Sequence, residues 1–196
     1  MWASATASSW RCVRWPNSVS DQTMAPALYA ASVPVFKRYL VNLGGMLHVA
    51  QAYAVRVGQD PEPWLQQRLA PDMLPLVTQV EIAANFSLRA AFPLAGKPVA
   101  PFGEFLPSFT GLHQRLTYAC GQLDSLSPSD FDADPARAIE DQAGQATVRL
   151  VPTEFLYLYA LPNFFFHASM AYAILRAAGV PLGKGDFDGM HRYTAA

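Results

Sequence analysis

Residues 152–181 read PTEFLYLYALPNFFFHASMAYAILRAAGVP, the longest apolar run in the chain. As a helix it makes about seven turns. Asn163 and His167 stand in its middle at i, i+4, on one face of one helix, among aromatic and aliphatic neighbours. A helix apolar nearly all round is buried by neighbours on several sides or lies in a membrane. Glu154, Pro162, Asn163, His167 and Arg176 interrupt the run, and an uninterrupted apolar stretch of about 18 residues is missing. The stretch therefore reads as the core helix of a soluble protein, with no membrane partner. The rest of the chain must supply what buries it.

Working back from it, residues 127–152 are polar, with TVRLV as a strand. Ala138–Glu140 and Ala146–Leu150 flank an Asp-Gln-Ala-Gly turn, which predicts a small β-hairpin before the last helix. A third helix fits Phe102 to Leu126, where Phe105, Phe109, Leu112, Leu116, Ala119 and Leu123 recur at helical spacing. His113 falls on its surface, and Cys120 reads as a small core residue. A loop from Leu94 to Pro101 precedes it. A second helix runs from Asp72 to Phe92, with Leu74, Val77, Val80, Ala84 and Leu88 as its core stripe. Glu81 and Asn85 share one face of that helix, and Gln79 lies on another. Asp60 caps a short accessory helix, DPEPWLQQRLA, with Pro61 at its first position. The first helix spans Pro26 to Val57, kinked or restarted at Pro34 and closed by Gly58. His48 on it reads as an exposed or core-edge histidine.

At the other end, the tail GVPLGKGDFDGMHRYTAA is expected to fold irregularly over the helix ends, with Asp186, Asp188 and His191 a solvated cluster. Residues 1–23 are rich in Ser, Thr and Ala and lack an apolar signal core. They read as a disordered extension in front of a natural start at Met24, and residues 24–196 as one domain. Four long helices without βαβ alternation predict an all-α fold, an antiparallel four-helix bundle.

Composition narrows the function. Of 196 residues, 52% are hydrophobic and 15% charged, against about 25% charged in an average soluble domain. That length fills one core and is short for two. A net charge of −1 without like-charge runs argues against nucleic acid or an anionic membrane surface as partner. The scarcity of charge fits an apolar face covered by a second copy, hence a homodimer. Cys12 and Cys120 are too few for a disulfide framework and form no zinc motif, which points to reduced thiols in the cytoplasm.

Helix bundles build sites from side chains on facing helices. Polar residues inside the apolar stretches are therefore the candidates: Glu81 and Asn85 on the second helix, Asn163 and His167 on the fourth, lining one inter-helix pocket. Imidazole is the commonest metal ligand, so His167 is the candidate metal ligand. A neutral amide such as Asn163 binds transition metals weakly, and Glu81 is the one charged residue among the four. No Ser-His-Asp pattern, nucleophile elbow or paired carboxylates stand out, and no catalytic residue is assigned.

Three segments, LYAASVPVFKRYLVNL, RLAPDMLPLVTQVEIAAN and LPNFFFHASMAYAILRAAGVPLGK, resemble a domain-of-unknown-function family of the DinB/YfiT-like metalloenzyme superfamily, over about four fifths of the chain. The resemblance implies a DinB-like four-helix bundle, often dimeric, with a metal pocket between helices. In that superfamily three histidines hold the metal, one from the second helix and a His-x-x-x-His pair from the last. His167 matches the second member of the pair. The first falls on Asn163, and the second-helix histidine has no counterpart, Glu81 or Asn85 being nearest.

The expected function is accordingly small-molecule binding in the inter-helix pocket, with a degenerate metal site. The alternative is a metal-dependent transferase or hydrolase acting on a thiol or other small molecule. There a divalent Zn, Ni or Mn ion on His167 and Glu81 would activate a thiol or water.

Overall fold

The computed structural model describes residues 26–132, 134 and 136–192; the predicted extension over residues 1–23 lies outside them. The chain is mostly helical. A one-turn helix α1 (Ala27–Ala30) leads into α2 (Val33–Arg56), then come α3 (Leu76–Leu94), α4 (Phe109–Leu123), a long α5 (Pro152–Ala177) and a short α6 (Lys184–Asp188). A two-stranded antiparallel sheet, β1 (Ile139–Ala143) and β2 (Ala146–Leu150), precedes α5. The hairpin stands where predicted, but its turn is Gly144-Gln145, with Gly144 at φ 62°, not the Asp-Gln-Ala-Gly segment.

Prolines and glycines set the boundaries more tightly than apolar spacing does. The first helix restarts at Val33, with Pro34 in its opening turn, where a missing N–H costs nothing. Pro75 holds an extended backbone and delays α3 to Leu76. Leu74, predicted in the core stripe, therefore precedes the helix and is exposed; Val77, Val80, Ala84 and Leu88 are buried as expected. Gly103 at φ 71° keeps residues 102–108 out of the third helix. Helix α4 starts instead after Ser108, whose Oγ accepts the Gly111 N–H at 3.0 Å. The segment after Asp60 is a 3-10 turn, Glu62–Gln66, and the Asp60 carboxylate accepts the Glu62 N–H.

Side-chain pairs give the helix directions. Lys37 meets Asp124 and Gln51 meets His113, so α2 and α4 run antiparallel. Gln79 meets His167 and Phe86 meets Tyr159, so α3 and α5 do too. Phe36 packs on Phe164 at 4.9 Å, and the Tyr53 hydroxyl lies beside Gly179; helix α2 therefore runs in the same sense as α5, and α3 in the same sense as α4. The expected alternation of neighbouring helices is thus corrected for α3 and α4, whose connection, residues 95–108, must cross the length of the helices. It passes so close to α4 that a Cβ on Gly111 would lie 2.0 Å from the Leu106 carbonyl oxygen.

Helix α5 carries six residues of π-helix, Phe155–Ala160, ahead of Pro162. Proline supplies no N–H to the preceding turn, and a widened turn is one way to accommodate it. The tail is not irregular as expected. Helix α6 docks on α2, where Arg38 donates to the Asp188 carbonyl and Asn42 to that of Phe187. Asp188, predicted to be solvated, is buried; it accepts the backbone N–H groups of Met190 and His191 and pairs with the His191 ring. These bonds hold its carboxyl well down, at about 2.

Candidate functional site

Helix α3 carries polar side chains on two faces. The sequence places Gln79 on one side and Glu81 with Asn85 on another, and the structure does likewise. Gln79 faces α5 and is 2% exposed. Its amide nitrogen donates to the Leu74 carbonyl at 3.2 Å, and its Oε1 lies 2.7 Å from His167 Nδ1. A carbonyl only accepts, so the amide can sit only with its NH2 toward Leu74 and its oxygen toward the ring. His167 must then carry its proton on Nδ1, leaving the Nε2 lone pair open. The buried side-chain nitrogens and oxygens without a partner, among the described residues, are Arg115 Nε and Arg137 Nε, so His167 Nε2 is not sealed in the core. The ring stacks over Phe86 at 6.4 Å and meets the edge of Phe166 at 5.2 Å. Partial burial pushes its pKa below the ordinary histidine range, because desolvation disfavours the imidazolium. This is a neutral, oriented acceptor on an aromatic bed.

Asn163 shares the helix with His167 but turns back along it: its amide donates to the Tyr159 carbonyl at 2.7 Å, at the π-helical turn before Pro162. Tyr159 packs on Phe86 and reaches toward the hairpin, where Arg89 binds both Asp141 oxygens, at 2.8 and 2.7 Å. Burial, then the Asp141 charge, raises the Tyr159 pKa.

Glu81 and Asn85 point to α4. Arg115, 8% exposed, donates to Asn85 Oδ1 at 3.1 Å and to Glu81 Oε1 at 3.3 Å. Its guanidinium lies 5.1 Å from the centre of the Phe105 ring. Phe105, predicted to be a helical core residue, belongs to the crossing segment and covers this cation. The four predicted residues therefore form three arrangements: Glu81 and Asn85 around Arg115, Asn163 on its own backbone, His167 on Gln79.

Arg115 and Gln79 are the residues that sequence reasoning missed. Both had a signal. Arg115 sits at i+3 from Leu112 and i−4 from Ala119, in the apolar register of its helix; Gln79 sits in the register of Phe86. A polar residue inside an apolar stripe asks for a partner on the facing helix.

Metal binding can be judged from the donors. A catalytic divalent site wants about three strong protein ligands. Here one imidazole is available, the Gln79 amide is committed to it, and the Asn163 amide is tied to its own backbone. Among the described residues no three His, Cys, Asp or Glu side chains gather at ligand distance. The donors around His167 do not fit a three-histidine metal. A separate open concavity of about 340 Å³ lies between the end of α3 and β1, lined by Lys97, Arg137 and Glu140. Its cations are engaged, Arg137 with the Pro93 and Leu94 carbonyls and Lys97 with Asp130. Cys120 is half-buried, and burial raises its thiol to about 11, which leaves it protonated and unreactive at neutral pH.

The domain of unknown function DUF1993 matches this chain over residues 28–188. A crystal structure of a DinB family member protein from Shewanella denitrificans is similar to it, at 32% sequence identity and a TM-score of 0.72. The match covers 86% of this chain and 96% of that one. No curated protein matches.

Proposed function

The chain belongs to the DUF1993 family and has a DinB-like fold, and on that premise we propose a cytoplasmic four-helix bundle that binds a small organic molecule at His167. The observation that carries this reading is the relay from the Leu74 carbonyl through Gln79 to His167 Nδ1. A metal-binding histidine is oriented in the same way, by a hydrogen bond on its second nitrogen. Here the orientation is kept while the companion ligands are missing. A ligand with an N–H or O–H donor on a flat apolar body suits the Nε2 acceptor and the exposed ring of Phe166 beside it. Asn163 shapes this face by holding the turn at Pro162, and Glu81 with Asn85 forms the back of α3 through Arg115.

A homodimer accompanies this reading. Leu158 is 70% and Phe166 53% exposed, and they sit eight residues apart on one side of α5. A second copy packed there would cover the apolar surface and wall the His167 site.

The test is imidazole nitrogen NMR on tag-free protein. His167 is expected as the Nδ1–H tautomer, and Gln79→Leu should erase that preference. Phenol and indole fragments should shift the Nε2 signal. Tight one-to-one binding of Zn, Ni or Mn that His167→Ala abolishes would overturn the proposal and restore the metal-dependent transferase or hydrolase.

A further inference from the structure

Helices α2 and α4 bring together a second set of nitrogen and oxygen donors, away from His167. On α2, Gly44, His48 and Gln51 follow one another at steps of four and three residues, so they line one stripe. His113 of α4 lies across that stripe. Its Nδ1 is 3.9 Å from where a Cβ on Gly44 would stand, and its Nε2 is 3.2 Å from Gln51 Oε1. The ring therefore spans the stripe from Gly44 to Gln51, and His48, between those two positions, is level with it. His48 is exposed and Gln51 half-buried, so the cluster opens to solvent. Burial, and then the neighbouring His48, lower the His113 pKa.

We propose that His48, Gln51 and His113 form a binding site for a divalent transition metal ion that clamps α2 to α4. Two donors on such an ion sit at about 2.0–2.2 Å, and neighbouring ligands are then about 3.0–3.4 Å apart. The 3.2 Å between His113 Nε2 and Gln51 Oε1 lies in that range, so both can meet one ion once the hydrogen bond between them is broken and the side chains turn toward it. His48 swings in from solvent as the second nitrogen, and water completes the shell. Two imidazoles, where the His167 site offers one, suit nickel, copper or zinc better than magnesium or calcium, and the neutral amide oxygen adds only a weak third donor. Helices α2 and α4 already lie side by side and antiparallel, so the ion would bridge elements that are in contact without it.

The experiment uses the tag-free full chain with nickel or zinc chloride alone, by calorimetry and thermal melting. One-to-one binding in the micromolar range with a rise in Tm is expected. Loss of a ligand should cost about tenfold in affinity or more, so His48→Ala and His113→Ala should each weaken binding by at least that. His167→Ala and His191→Ala should leave it unchanged. His48 is exposed, so its variant remains informative even if His113→Ala folds poorly. In wild type, nickel should broaden the ring signals of His48 and His113 before those of the other histidines. Absence of binding, or binding that survives both His48→Ala and His113→Ala, overturns the site. Binding lost with His167→Ala instead would overturn both this site and the non-metal reading of His167.

Discussion

Helices α3 and α5 are both apolar and pack side by side, yet they are used differently. Helix α3 buries 13 of its 19 residues, with α4 on one side, α5 on another and the hairpin tied across its end through Arg89. Helix α5 has the sequence that promises burial all round, and by length and composition it could cross a membrane. Fewer than half the residues of its most apolar window are buried, and Tyr157, Leu158 and Phe166 face outward. Apolar content sets how much burial a helix can use. Its place among the other helices sets how much it gets.

The comparison breaks most readily at two phenylalanines. Phe86 on α3 is buried against Tyr159, His167 and Arg89, so Phe86→Ala should cost about 3–5 kcal/mol in urea unfolding. Phe166→Ala on the outer side of α5 should change the monomer by no more than about 0.5 kcal/mol. The proposed homodimer adds a further loss at Phe166 that depends on protein concentration; a loss that stays small at every concentration would mean that no second copy covers α5 in solution.

A smaller effect is expected on the α4 side of α3. Arg115→Met keeps the packing against Phe105 but strands Glu81 and Asn85. Glu81 retains access to water, so the cost should be about 1–3 kcal/mol. If Arg115→Met proved more stable than wild type, the guanidinium would be a burden kept for binding rather than for folding.

The smallest effect is the pH response of the α5 side. His167 has a lowered pKa in the fold, so the unfolded chain binds its proton first. Its contribution is fully present above the unfolded value of about 6.5 and is lost as pH falls through that value toward the folded one. His113 acts in the same direction. Comparing Tm at pH 7.5 and 5.5 should show a smaller drop for His167→Phe than for wild type; an equal drop would assign the whole response to His113 and other groups.

Much of this could be read from residues alone. The helical periods locate each long helix among the described residues and set Gln79 apart from Glu81 and Asn85, because the helical angle between residues follows from their spacing. Apolar spacing starts α3 four residues early, at Asp72 rather than Leu76, and carries the third helix through Phe105. In both places a local breaker, Pro75 or Gly103, overrode an apolar period that continued past it. Arg115 is hard to single out from sequence because a cation next to apolar positions looks like a surface residue until the facing helix is known.

Local periodicity, turn residues and extended resemblance are enough to give the helical class, the number of long helices among the described residues, the hairpin and the family. The tertiary structure alone decided that α3 and α4 run in the same sense, and that Gln79 rather than Glu81 or Asn85 faces His167. It also decided that the rest of the chain leaves one side of the most apolar helix uncovered. Each of these depends on which helices become neighbours, and periodicity within one helix carries no information about the angle or partner of the next.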